Sequence, residues 1–321
     1  MDFELSDDEV ALQDGVRSLC AGRFPMERVR ATEATGGLDR DGWRDLADAG
    51  VFALRLPEAD GGVGLGMAAA VLVFEELGRA LVPGPLIGTH LAAGLVDGAA
   101  DGSRVAGVVD ERRTPLLIEN RDTLDVLLVV GERGIRAVDP SSVEASPVDR
   151  PLDPLTPLHR VKGTLPDGDA VAGVDVVMRW RTEGAALAAA LLLGIAEATT
   201  DVAVAYAKER QQFDRPIGSF QAVKHLCADM LVRAEVARAA VYAAGVTLDD
   251  PTVGDPERAV HAAKVTAGDA AVRNGKAAIQ VHGGMGFTWE VDAHLYLKRA
   301  WWLDTVLGSV EEHSEALAAA L

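Results

Sequence analysis

Apolar residues recur at helical spacing through both ends of this chain and in short, broken runs through its middle. From Ser6 to Arg23, Val10, Leu12, Val16, Leu19 and Cys20 follow a Ser-Asp-Asp-Glu start, which predicts a capped helix. Further helices are expected over 41–49, 67–81 and 86–97, with the Pro- and Gly-rich "LRLPEADGGVGLG" as a loop among them and "VPGP" ending the third helix. Between about Val105 and Val177 the runs "VAGVV", "TPLLIE", "DVLLVV", "GIRAVD", "HRVKGTL" and "VAGVDVVM" are separated by Gly, Pro and Asp, the signature of strands and turns. Long Ala-rich helical patterns then occupy 183–211, 218–247, 256–282 and 290–306, with "PTVGDP" turning between two of them. The expected fold is mainly α with a small β domain: an N-terminal helical domain over 1–100, a reduced β domain over 101–180 and a C-terminal four-helix bundle over 181–321.

Composition narrows the function. With 49% apolar and 25% charged residues, the 321-residue chain is of globular type, and 5% aromatics leave its core to Ala, Val and Leu. A net charge of -18 opposes any sequence-independent grip on nucleic acid or anionic lipid. It still admits a small anionic cofactor held by a few placed arginines and backbone N–H groups. Cys20 and Cys227 each sit in an apolar helical pattern, so buried thiols are expected rather than a disulfide. The acidic, amphipathic start does not resemble a secretory signal, and the longest apolar run, "GAALAAALLLGIAEA", is short for a bilayer; the expectation is a cytoplasmic protein with no membrane or nucleic-acid partner.

Two polar, Gly-containing corners interrupt the bundle: "ERQQFDRPIGSFQ" and "QVHGGMGFTWE". Each alone reads as a helix end, a basic residue answering the macrodipole or a glycine cap. Together they offer a guanidinium, side-chain amides and closely spaced glycines that let backbone N–H groups approach a phosphate, a set suited to a pyrophosphate. His225, His282 and His294 lack the spacing of a metal set and are expected in core or interface, as Trp301 and Trp302 are in interface packing.

Those corners carry a resemblance to the acyl-CoA dehydrogenase family. The first resembles its Arg-x-x-Phe-Gly-x-Pro-Ile-x-x-x-Gln segment and the second its Gln-x-x-Gly-Gly-x-Gly segment; "LRLPEADGGVGLG" and "VFEELGRALVPGP" fit as well. The resemblance implies FAD as cofactor and α,β-desaturation of an acyl-CoA thioester, with both segments reaching the FAD of a neighbouring subunit. It implies that Arg210 pairs with the pyrophosphate, with the Gln212 amide in the same corner. Phe213 packs beside the cofactor, Gln221 bonds near its ADP half, and Gln280, Gly283 and Gly284 line the phosphates. Asp214 stands where the family prefers Gly.

The other half of the family's site is missing. Leu307-Gly308-Ser309 falls at the place of a Glu-Gly-Thr that carries the catalytic base. The alternative base position of one branch falls on Gly184, one residue from Glu183, where a first-turn acidic residue is expected. The flavin-facing strand segments have no counterpart between Leu95 and Val130, and Glu311 replaces a glutamine that contacts cofactor. The expected role is therefore a non-catalytic subunit of a heteromeric α2β2 acyl-CoA dehydrogenase, similar to those acting on steroid side-chain CoA thioesters. It completes the FAD site of a base-bearing partner. A self-sufficient enzyme using Glu183 as base, and a structural or regulatory remnant without flavin, remain open alternatives.

Overall fold

The computed structural model describes residues 5–320. Its helices are α1 (Asp7–Arg23), α2 (Met26–Ala31), α3 (Arg40–Asp48), α4 (Met67–Arg79), α5 (Leu86–Ala92), α6 (Val174–Glu209), α7 (Gln221–Asp249), α8 (Pro256–His282), α9 (Ala293–Thr305) and α10 (Val310–Ala319). The strands are β1 (Ala106–Asp110), β2 (Leu117–Glu119), β3 (Val126–Gly131), β4 (Gly134–Val138), β5 (Ala145–Pro147), β6 (Leu158–Val161), β7 (Asp169–Ala172), β8 (Gln211–Gln212) and β9 (Arg215–Pro216). Caps set several boundaries. Ser6 and Glu9 exchange side-chain and main-chain hydrogen bonds at the start of α1, Asp39 accepts from the N–H groups of Asp41 and Gly42, and Asp255 accepts from that of Arg258 behind Pro256.

One expected boundary is wrong. The run "VAGVDVVM" is not a strand throughout: β7 ends at Ala172, and after Gly173 the valines open α6, well before position 183. Val177, Trp180, Gly184 and Leu187 are buried at helical spacing, so packing of that stripe overrides the strand preference of β-branched residues. The resulting helix also corrects the view that no apolar stretch is long enough for a bilayer. α6 passes that test by length and composition, yet 83% of its most apolar window is buried, as in a core helix.

Two compact units are distinguishable, and neither is one stretch of sequence. One comprises Gly22–Ala70 and Val82–Gly184. It holds a four-stranded sheet in the order β1-β3-β4-β7, parallel only between β1 and β3, and an antiparallel sheet β2-β6-β5. Val109, Ile118, Leu127, Val129 and Val138 fill its β core. Helix α5 is tied to β1 by Thr89, whose hydroxyl donates to the Ala106 carbonyl (3.1 Å) and accepts from its N–H (2.9 Å).

The other unit comprises the stretch up to Ala21, Val71–Leu81 and Ala185–Leu321. Within it, α4 and α6 touch main chain to main chain. A methyl group on Gly78 would strike Leu191, and one on Gly194 would strike Glu75. That approach buries a charged network between helices. Arg17 holds Glu76 through two hydrogen bonds (3.0 and 2.7 Å), Arg79 and Arg238 both hold Glu197, and the Tyr242 hydroxyl donates to Glu75 (2.8 Å). Burial, followed by the negative charge of Glu197, pushes the Glu75 carboxyl up to about 9.

Folded Glu75 therefore keeps its proton through a range in which the unfolded chain has lost it, and stability declines as pH rises from about 5 towards 9. The slope from this one group is at most about 1.4 kcal/mol per pH unit. Glu75→Gln is expected to flatten the dependence of the urea midpoint on pH between 6 and 9 and to raise the midpoint at pH 8.5. An unchanged slope would remove Glu75 as its source.

Candidate functional site

Both polar corners form at one end of the helical bundle. Ala203 and Ala207 near the end of α6, Ala278, Ile279 and Val281 at the end of α8, and Ala293 at the start of α9 share a single apolar cluster, with Ile217 from the turn before α7 and Val223 from its first turn packed against it. Tyr206 stacks on His282 with ring centroids 4.1 Å apart, and His282 Nδ1–H donates to the Ala278 carbonyl (2.7 Å). These contacts fix the helix ends from which the corners project.

The first corner is a hairpin. Strands β8 and β9 pair Gln212 with Arg215 and Gln211 with Pro216, leaving Phe213 and Asp214 as a two-residue turn with φ of 54° and 60°. Positive φ at both central positions is the type I′ pattern, in which Asn or Asp is tolerated and Gly preferred at the second. That accounts for Asp214 standing where the family has Gly. It also holds Phe213, a bulky residue that is 85% exposed, in a costly conformation. Phe220 supports the hairpin from below, edge-on to Phe213 at 6.1 Å, with the Arg215 guanidinium 4.2 Å over its ring. Arg210, Gln212 and Gln221 are exposed, and no carboxylate among the described residues pairs with Arg210.

The second corner lines a groove of about 470 Å³. Gln280, Gly283 and Gly284 lie in it, and Ile279, Leu297 and Trp301 make its apolar part. Gly283 ends α8 with φ 60° and ψ -139°, a backbone open in practice only to glycine. Space over both Gly283 and Gly284 is open, so a ligand can approach the main chain there. The structure thus gathers three of the expected cofactor residues in one groove and leaves Arg210, Gln212, Phe213 and Gln221 on the hairpin and the first turn of α7. An open main chain, an uncompensated guanidinium and exposed amides are a donor set that fits the diphosphate of a dinucleotide such as FAD.

Neither position at which the resemblance implies a base offers an available carboxylate. Glu183 is not in a first turn, because α6 begins at Val174; it lies in the third turn and is buried. Arg55 donates to both of its oxygens, at 2.9 and 2.7 Å, and Arg179 lies 4.0 Å away. The Leu307-Gly308 corner is built around Lys264, a fully buried lysine whose ammonium donates to the carbonyls of Leu303 (3.0 Å), Asp304 (2.9 Å) and Gly308 (2.8 Å). A cation there answers the carbonyl end of α9. His313 Nε2–H donates to the Leu307 carbonyl (3.0 Å) and its Nδ1 accepts from His261 Nδ1–H (2.7 Å); burial pushes His313 down to about 4, which keeps it neutral. Glu311 is exposed on α10.

Sequence reasoning missed Arg55 and Lys264. Lys264 had a signal: it occupies a position of the buried stripe Val260, Ala263, Ala267 and Ala271, where a lysine is kept only for a partner. Arg55 sits in an irregular loop, and its partner is far off in sequence, so nothing local marked it.

Because Glu183 and Arg55 form a two-bond, largely buried pair, Glu183→Gln is expected to lower stability by about 1–3 kcal/mol. The double variant Glu183→Met, Arg55→Met should recover part of that loss. Denaturant titration of the three variants checks this. A neutral Glu183→Gln would deny the pair a structural role.

Sequence and fold comparisons agree with these corners. The C-terminal domain model of the acyl-CoA dehydrogenases matches residues 172–321, and their N-terminal domain model matches residues 6–100. Acyl-CoA dehydrogenase IpdE2 of Mycolicibacterium smegmatis is 33% identical over 326 residues, an alignment covering 98% of this chain and 99% of the relative. Two solved structures share the fold. The Tcur3481-Tcur3483 steroid ACAD G363A variant has a TM-score of 0.84 at 24% identity, covering 98% of this chain and 97% of the other. The ChsE4-ChsE5 complex from Mycobacterium tuberculosis has a TM-score of 0.83 at 24% identity, covering 99% and 98%. With a full-length relative at this identity and both polar corners inside the matched stretches, the chain belongs to the acyl-CoA dehydrogenase family.

Proposed function

We propose that this chain is the cofactor-completing subunit of a heteromeric, cytoplasmic, FAD-dependent acyl-CoA dehydrogenase whose partner subunit carries the catalytic base. One observation carries the reading: Arg210, Gln212 and Gln221 are exposed, with no carboxylate among the described residues on Arg210, and the main chain at Gly283 and Gly284 is open, whereas both base positions that the resemblance implies are occupied by structural contacts. Both Glu183 oxygens are taken up by the Arg55 guanidinium, and Leu307 has no acceptor at all.

When bound, FAD supplies the acceptor for the hydride leaving the β carbon of the acyl thioester. This chain's part is to hold and orient. Arg210 meets the diphosphate with a planar, permanently charged fork. The open main chain at Gly283 and Gly284 supplies N–H donors, Gln280 and Gln221 supply amides, and exposed Phe213 covers cofactor surface from water. A base on the partner removes the α proton. The names of the two structural neighbours, each a pair of gene products, favour a two-subunit assembly, and the word steroid in one of them favours a CoA thioester of a steroid side chain as substrate.

Co-expression with a base-bearing family member encoded beside this chain is expected to give a yellow complex with one FAD per pair, while this chain alone is colourless and inactive. Arg210→Ala should strip flavin from the pair and leave both chains folded, read from the visible spectrum and circular dichroism. A flavin-replete, active single chain would overturn the reading.

A further inference from the structure

We propose that Lys276, at the edge of the groove already described, is a further diphosphate-binding residue for the coenzyme held there. The inference rests on the proposed function and adds to it a residue that neither the polar corners nor the family segments include.

Helix geometry places Lys276 in the groove. Lys276, Ile279, Gln280 and Gly283 stand at i, i+3, i+4 and i+7, one stripe along the last turns of α8, and all four line the same cavity. Lys276 is its only charged lining residue. Ile279 and Leu297 are buried beneath, and Trp301 is half-buried, so the groove joins an apolar, aromatic wall to a single cation and an open glycine main chain. A planar heterocycle bearing phosphates satisfies all three parts at once.

The charge is also uncommitted. No carboxylate stands three or four residues from Lys276 on α8, where Arg273, Val272, Ile279 and Gln280 lie. Neighbouring cations are engaged: Arg273 is held by Asp269 at 2.7 Å, and the Lys298 ammonium lies 4.7 Å from the centre of the Trp289 ring. In a chain of net charge -18, an exposed lysine without a counter-ion among the described residues makes this groove a local positive site. The carbonyl end of α8 points towards the same place and disfavours an anion; Lys276, one to two turns back, has the reach to offset it.

FAD and CoA thioesters both carry an adenosine diphosphate, and the test separates them. The flavin-free pair of subunits is titrated with FAD, followed by visible absorbance, and separately with coenzyme A, followed by calorimetry, each at low and high salt. Lys276→Ala is expected to weaken FAD by about tenfold to a hundredfold. It should also narrow the gap in affinity between the two salts and leave coenzyme A unchanged, with Lys276→Arg close to the parent. A loss confined to coenzyme A keeps the diphosphate role and moves it to the thioester. Unchanged affinity for both overturns the assignment. If Arg210→Ala strips flavin while Lys276→Ala does nothing, only the lysine is wrong. A pair that never takes up FAD, with or without either substitution, overturns the proposed function itself.

Discussion

The helical unit depends on two glycines. Gly78 and Gly194 bring α4 and α6 into main-chain contact, and that closeness decides what else can lie between them. The buried surface of α6 mixes alanines, from Ala185 and Ala186 through Ala196 to Ala203, with Leu187, Leu192, Leu193 and Ile195. Charged side chains long enough to reach sideways also bind the neighbouring helices. Glu75, Glu76 and Glu197 are buried for this reason, and each is answered by Arg17, Arg79 or Arg238. Isolated buried charges would be prohibitive; a network with one carboxyl kept protonated is tolerable. α6 continues from this packing to its end at Glu209, where the Arg210 hairpin starts.

That chain of dependence separates what the sequence made legible from what it did not. Helices with a capping residue or an apolar stripe were readable, as at Ser6, Pro256 and the run from Met67, because their signals are local. The start of α6 was not. Its valines have strand character, and only burial of Val177 and Trp180 against tertiary neighbours makes them helical. The corners were legible as polar interruptions, and their glycines as sites of main-chain approach. Their backbone form was not: the positive φ at Phe213 and Asp214 follows from pairing β8 with β9, which two residues per strand do not announce.

The positions where the resemblance implies a base were legible only in the negative. Leucine at 307 can accept no proton, and its identity alone says so. Glu183 could not be judged from its neighbours in sequence, since its role is set by Arg55, a loop residue distant along the chain. A candidate base is defined by what else holds it, and long-range ion pairs are the interactions a single sequence hides best.

The Leu307 corner is built for structural contacts. Its main chain is held by three bonds from the Lys264 ammonium and one from His313, and both Leu307 and Gly308 take positive φ to meet them. A glutamate placed at 307 would sit near a buried, permanently paired cation, which favours the ionised form and makes a weaker base. It would also stand on a backbone turned for other contacts. The corner is therefore committed to closing α9 onto α8 and α10. On the function proposed above, the donors turned outward at the opposite, hairpin-bearing ends of α6 and α8 serve a cofactor to which a second subunit brings the reacting groups, so the two ends of the bundle divide between holding the fold and holding a ligand.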